Sequence, residues 1–437
     1  MKIAFLVWRF PVLSEPFILN QIAGLIDRGH EVDIYACAVD QDASHEPTKI
    51  HPVVEQYRLL ERTYYAPQRP KNEFWGWLKG LGLFLSNFAK NPSVCWKLAN
   101  QLSSKLFYRA IPFLDKQSYD IIHCQFGTLG LVGLSLLETG VISGKIITTF
   151  RGIDISRYVQ EQGREIYSQL FEKGNFFLAN CEFFRQRAIS IGCDPEQIIV
   201  HGSGIDCRKF AFKPRKFPTG GIVRIATTGR LVEKKGIEYC IDAIAQIAHI
   251  YPNIEFNIIG DGPLKRDLEA QIAKLNVPHL VKLLGWKNQC ELVEILDSSH
   301  IFLAPSVTAA DGNQDAPVNT LKEAMAMGLP AIGTYHGGIP ELVQDEVSGF
   351  LVPERDAGAI AAKLQYLIEH PERWEQIGIE GRRQVEAKYD METLNDELTQ
   401  IYQNLLHSTF SHPSLSFFPS SPVSENKLGD FHERIYQ

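Results

Sequence analysis

Short apolar runs alternate with amphipathic stretches through most of the 437 residues. KIAFLVW, EVDIYAC, DIIHCQF, KIITTF, FFLANC and IIVHGSG read as strands buried on both faces, with segments of helical period between most of them. That alternation predicts βαβ units and a parallel sheet. Ser14 is placed to cap a first helix carrying Ile18, Ile22, Leu25 and Ile26, and Gly29 to stop it. The pattern breaks at KPRKFPTGG, residues 213–221, which reads as a linker. A second series follows: VRIATTG, EFNIIGDG, VKLLGW, IFLAPS, AIGTYHGG and GFLVPE. The expected fold class is therefore α/β, with two doubly wound, Rossmann-like domains at 1–212 and 222–385 facing across a cleft lined by strand-to-helix loops. A C-terminal helix over 386–406 is expected to return toward the first domain. The Ser/Pro-rich 407–437 has the composition of a disordered tail.

Composition narrows the function classes. The net charge of −7 argues against a nucleic-acid binder, and 45% hydrophobic residues suit a soluble protein with a sizeable core. Eight cysteines are scattered without a Cys-x-x-Cys, which fits a reducing cytoplasm. MKIAFLVWRF has no small-residue cleavage site and reads as a buried strand, and no run approaches the roughly 18 apolar residues of a membrane span. Residues 66–116 stand apart, with eight basic residues (Arg69, Lys71, Lys79, Lys90, Lys97, Lys105, Arg109, Lys116), two acidic ones (Glu73, Asp115), and Trp75, Trp77 and Trp96 between them. This segment reads either as a helical insertion whose aromatics pack on the first domain, or as a surface for an anionic bilayer or a lipid-linked substrate.

The chemistry concentrates in the second series. In DGNQDAPVNTLKEAMAMG, residues 311–328, Pro317 suits the first turn of a helix. The N–H groups of Val318, Asn319 and Thr320 would then form an anion site at the positive end of the helix dipole. Glu323 lies six residues beyond Pro317, about 9 Å along the axis. It is too far to share a phosphate but suited to accept from a ribose diol. Asp315, before the helix, would address a sugar on the other side of the diphosphate. The alternative reading makes Asp315 a helix cap and Glu323 a solvated residue. TGRLVEKKG, residues 228–236, brings Arg230, Lys234 and Lys235 to the same sheet edge, where Arg230 and Lys235 would neutralise a departing diphosphate without a metal. GDGP adds Gly260 and Gly262 at a strand end where a nucleotide could approach closely. Asp40 and Asp42, in DQD, read as a solvated turn.

GRLVEKKG, IIGDGP, LLGW, the acidic pair with seven intervening residues, EAMAMGLP and GGIPELV stand in the order and spacing of the retaining glycosyltransferase family 4, which has the GT-B fold. FPVLSEPFILNQI and FRGIDIS resemble its branch that builds colanic acid and other exopolysaccharides. The resemblance covers about residues 1 to 405. It implies transfer of a sugar from a UDP- or GDP-linked donor to a growing, lipid-linked glycan without a metal or other cofactor. Under it, Arg230 and Lys235 hold the diphosphate, Glu323 the ribose and Asp315 the transferred sugar. Trp286 and Lys287 meet the base, while Ser14, Glu15, Gln125 and Arg151 lie near the acceptor. The chain departs from the pattern in four places. Asp315 replaces the usual glutamate, about 1.5 Å shorter; Ala316, Pro317 and Val318 replace Gly-Phe-Gly; Arg151 replaces a histidine; and RFPVLSEP replaces a glycine-rich turn. A GT-B epimerase or phosphorylase, or a sugar-nucleotide binding protein without turnover, remain alternatives.

Overall fold

The structure, a computed structural model, describes residues 1–12, 15–39, 51–70, 72–88, 92, 95–96, 104–114 and 118–407. Ser14, the turn with Asp40 and Asp42, and the 408–437 tail lie outside the described residues. The chain divides into two compact units. One comprises Met1–Ala179, Arg187–Val200 and Asn395–Gln437; the other, Asn180–Gln186 and His201–Leu394.

The first unit is built on seven parallel strands: β1 Lys2–Phe10, β2 Glu31–Val39, β3 Thr63–Tyr65, β4 Ser118–Cys124, β5 Ser143–Phe150, β6 Phe176–Ala179 and β7 Ile198–Val200. Their order is β3-β2-β1-β4-β5-β6-β7. The second sheet has six parallel strands: β8 Val223–Thr228, β9 Ile254–Ile259, β10 Val281–Gly285, β11 Ile301–Ala304, β12 Ala331–Thr334 and β13 Phe350–Val352, ordered β10-β9-β8-β11-β12-β13. Each order reverses beside the first strand of its domain, as in Rossmann-like sheets, and places a switch point at the carboxyl ends there. Every apolar run read as a strand forms one. The strand that pattern missed, β3, is a three-residue TYY at a sheet edge with only half-buried side chains.

Buried residues of the second sheet show why its strands are apolar throughout. Ile225, Ile258, Ile301 and Leu303 enter one core cluster, while their alternating neighbours Ala226, Ile259, Phe302 and Ala304 enter another. Both faces are covered, so neither register of the pleat can be polar.

Three expectations on organisation need correction. The crossover into the second unit falls at Val200/His201, ahead of 213–221. Arg215 of that stretch is buried, donating to the carbonyls of Asp297, Ser299 and Met327 at 2.5, 3.1 and 2.8 Å, so these residues are fastened to the second unit despite their linker composition. The first helix is Pro16–Asp27 with Glu15 at its N-cap, and it stops at Gly29 with φ +78°. The final helix, Met391–His407, starts later than 386 and ends on His407. Its Leu398, Tyr402 and Leu405 enter the first unit's core.

In 66–116 the tryptophans do not pack on the domain. Helix Glu73–Phe88 leaves Trp75 and Trp77 60% and 63% exposed, with Phe74, Leu81 and Leu85 also exposed. Anchorage comes instead from helix Ser104–Ala110, whose Leu106, Phe107 and Tyr108 are buried, and from the Tyr108 hydroxyl donating to the Gly76 carbonyl at 2.8 Å. Lys71, Lys90, Lys97 and Lys116 lie outside the described residues.

Candidate active site

The donor-site candidates gather at the carboxyl edge of the second sheet, around β8 and β11. After β8 the chain enters a short helical turn, Glu233–Lys235, closed by Gly236. Lys234 and Lys235 point their ammonium groups at one carboxylate: Lys234 Nζ lies 2.8 Å from Asp315 Oδ1 and Lys235 Nζ 2.7 Å from Oδ2. Ser306 Oγ donates to the same Oδ2 at 3.2 Å. Burial opposes ionisation of Asp315, but the two lysines outweigh it and hold the carboxyl well below the usual carboxylate range. Burial lowers the pKa of Lys235, Lys234 and Arg230 add to that, and Asp315 opposes it. Sequence spacing left Asp315 free for sugar hydroxyls and treated Lys234 as an ordinary loop cation. Instead, both Asp315 oxygens are paired with lysines. The Arg230 side chain is exposed and makes no hydrogen bond or ion pair among the described residues, its main-chain carbonyl accepting from the Val232 N–H at 2.9 Å.

The helix expected at Pro317 begins two residues later, as Asn319–Ala326 with Val318 at the N-cap. The N–H groups of Val318, Asn319 and Thr320 have no acceptor among the described residues, as at any uncovered helix start. Thr320 Oγ1 donates to the Thr228 carbonyl at 3.1 Å, tying the helix start to the end of β8. With the later start, Glu323 lies four residues into the helix, about 6 Å along the axis. It is not a solvated residue: Oε2 is buried without a hydrogen-bond partner. Burial raises its pKa from 4.5 to about 7, with Lys322 opposing. An unpaired buried carboxylate costs free energy unless a ligand supplies donors, and a ribose diol would.

This carboxyl makes a stability prediction. Between pH 4.5 and about 7 the folded protein keeps a proton that the unfolded chain has released, so the stabilisation is full below 4.5 and is lost as pH rises through 7. Glu323→Gln, without nucleotide, is expected to melt progressively higher than the parent across that window, with a constant gain above it. Parallel melting curves from pH 4.5 to 8 would contradict the burial.

Gly260 and Gly262 serve the loops themselves. A side chain on Gly260, at φ +145°, would stand 1.9 Å from the Gly229 carbonyl, and one on Gly262 2.5 Å from that of Leu231. The close approach they permit is between the loop after β9 and the cation-bearing loop after β8. Trp286 is exposed after β10, and Lys287 pairs with Glu291 at 3.1 Å beside the capping box Asn288–Glu291.

Among the first-unit candidates, Arg151 and Gln125 come together. Arg151 is buried; its Nε and one terminal nitrogen donate to Gln125 Oε1 at 3.1 and 2.5 Å, and the latter nitrogen to Gln21 Oε1 at 3.1 Å, with the Phe17 ring 4.4 Å from the guanidinium. Burial lowers its pKa to about 10, against the pull of Glu15, Asp154 and Tyr402. Beneath it, His123 bonds Tyr402 at 2.6 Å and Thr149 at 2.7 Å. Asp154, within FRGIDIS, accepts from the N–H groups of Gly127, Arg151 and Gly152 and fixes the loop after β5. Sequence reasoning singled out neither Asp154, His123 nor Tyr402; only the quoted motif around Asp154 carried a signal.

Two Rossmann-like domains in one chain, the second with a cation cluster and an open helix start at its switch point, are the architecture found in GT-B glycosyltransferases. The family model described as glycosyl transferases group 1 matches residues 210–384. The amylovoran biosynthesis glycosyltransferase AmsK of Erwinia amylovora is 34% identical over 413 residues, 93% of this chain and 100% of its own. WcaL of Salmonella typhimurium, named for colanic acid biosynthesis, is 34% identical over 415 residues with the same coverage. Among solved structures, Anabaena HepE in complex with UDP-glucose superposes with a TM-score of 0.71 at 18% identity, covering 92% of this chain and 100% of that one. Sucrose-phosphate synthase of Thermosynechococcus elongatus does so with 0.68 at 19% identity, covering 93% and 99%. The chain belongs to the group 1 glycosyltransferases.

Proposed function

We propose that the protein is a retaining, metal-independent transferase of glycosyltransferase family 4, moving a sugar from a UDP- or GDP-linked donor to a growing, lipid-linked exopolysaccharide at the cytoplasmic face of a membrane. The observation that carries the donor assignment is Glu323. Its unpartnered carboxylate oxygen lies on a helix with unpaired first N–H groups, and Asp315, three residues before that helix's N-cap, is held by Lys234 and Lys235. Diphosphate oxygens are matched by the N–H groups, the lysines and exposed Arg230; the ribose diol is matched by Glu323. As the glycosidic C–O bond breaks, charge grows on the diphosphate, and these fixed cations stabilise it where a metal would otherwise serve. On the same face, a diphosphate oxygen assists deprotonation of the acceptor hydroxyl, and positioning supplies much of the remaining acceleration. The acceptor's sugar class follows the names of AmsK and WcaL.

Radiolabelled UDP- and GDP-sugars, incubated with extracted lipid acceptors, test the reading. Transfer with the donor's anomeric configuration, unchanged in EDTA, supports it. Nucleotide binding without transfer would favour the binding-protein alternative, and loss on chelation restored by Mg²⁺ or Mn²⁺ would refute metal independence.

Membrane association rests on the exposed Phe74, Trp75, Trp77 and Leu85 of helix Glu73–Phe88, set in a segment with a basic excess. No described helix is long and apolar enough to cross a membrane, so the contact would be interfacial. Trp75→Ala/Trp77→Ala is expected to reduce sedimentation with phosphatidylglycerol vesicles about tenfold or more, while leaving the melting temperature unchanged. Equal sedimentation of parent and variant would rule the helix out as the anchor.

A further inference from the structure

His336 and Glu354 belong to no predicted site, yet both reach the loop that carries Asp315. His336 follows β12 and is fully buried. Its Nε2 accepts from the Asp315 main-chain N–H at 2.9 Å, and its Nδ1 lies 2.6 Å from Glu354 Oε1, beyond β13. Because Nε2 must be an acceptor, the ring's proton sits on Nδ1 and is donated to the carboxylate. Glu354 also accepts from the Thr308 N–H at 2.7 Å and from Thr308 Oγ1 at 3.2 Å. One carboxylate thus holds the start of the β11–helix loop directly and its far end through the imidazole. Gly337 closes the contact from behind: at φ +49°, a side chain there would stand 2.0 Å from the Asp315 carbonyl. A buried carboxylate–imidazole pair spanning two strand ends and terminating on a backbone N–H makes an acceptor of fixed direction, whereas apolar packing would leave that N–H unpaired.

We infer that His336 and Glu354 form a positioning dyad that sets the Asp315 carboxylate between Lys234 and Lys235, and so aligns the cations that receive the departing diphosphate. Neither residue touches the donor in this role, and the inference rests on the donor-site reading above. The test is a mutant cycle with turnover measured as nucleoside diphosphate released from UDP-glucose or GDP-mannose, whichever supports reaction, beside calorimetry with UDP or GDP. His336→Ala is expected to lower kcat about tenfold while nucleoside diphosphate affinity stays within about threefold. His336→Gln, whose amide can accept from Asp315 and donate to Glu354, should recover most of that loss. In an Asp315→Asn background, His336→Ala should cost nothing further, because its route of action is gone. If His336→Ala is too unstable to purify, Glu354→Gln, at a partly exposed side chain, enters the same cycle with the same expectation. Additive losses in the double variant, or no recovery by His336→Gln in a folded protein, would overturn the dyad alone. Full turnover by Asp315→Asn would overturn the donor-site reading and the dyad with it.

Discussion

Lys235→Ala is expected to lower kcat by about 100-fold or more, equivalent to about 2.7 kcal/mol of transition-state stabilisation, with the fold unchanged. The side chain is largely buried and stands between Asp315 and the edge of β8, and Arg230 beside it is unpaired and exposed. On the proposed donor assignment both cations face charge that grows as the diphosphate leaves, so the loss should exceed what ground-state nucleotide binding alone would show. Arg230→Ala should act in the same direction and also weaken UDP or GDP binding, since no protein carboxylate competes for its guanidinium among the described residues. Steady-state kinetics with calorimetry on the purified single and double variants read both effects. Near-parental turnover in the double variant would remove the diphosphate from this edge of the sheet.

Asp315→Asn should separate binding from turnover. Its carboxylate is the counter-charge of two ammonium groups, and removing one partner from a buried cluster costs about 3 kcal/mol of stability in the free protein. A bound diphosphate would restore the missing negative charge. The variant is therefore expected to melt lower without nucleotide, to gain more from saturating UDP or GDP than the parent does, and to bind that ligand at least as tightly. Turnover should nevertheless fall about 100-fold, because the lysines lose the anchor that fixes their geometry for the departing group. Thermal melts with and without nucleotide, beside kinetics on the sugar-loaded donor, distinguish this from a simple binding defect. A parallel drop in nucleoside diphosphate affinity would assign Asp315 to holding the lysines in a binding-competent place and to nothing beyond that.

Much of this was legible along the chain because parallel sheets covered on both faces require unbroken apolar strands. IFLAPS and VRIATTG therefore announce β11 and β8 without any knowledge of their neighbours. The same logic located the loops of the candidate site, since turns at strand carboxyl ends must hold them and Pro317 marked a helix start to within two residues. Composition misled where a side chain's role depends on a distant partner. KPRKFPTGG has linker composition, but Arg215 finds three carbonyls contributed by residues 297, 299 and 327. The tryptophans of 66–116 pattern as well for packing as for exposure, and only the fold leaves Trp75 and Trp77 outside.

What the sequence by itself determined was the two Rossmann-like domains, the cation-bearing loop after β8 and the carboxylate-bearing helix after β11, because each depends on periodicity and local chain chemistry. Tertiary structure alone decided that Asp315 is gripped by Lys234 and Lys235, that Glu323 is left with an unpartnered oxygen, and that His336 and Glu354 fix the loop between them. These pairings join residues up to 81 positions apart, 234 to 315, whose ionisation is set by burial and by neighbours brought in from separate strand ends. Periodicity records which side of a strand or helix a residue occupies; it carries no information on which charge will face it across a sheet edge.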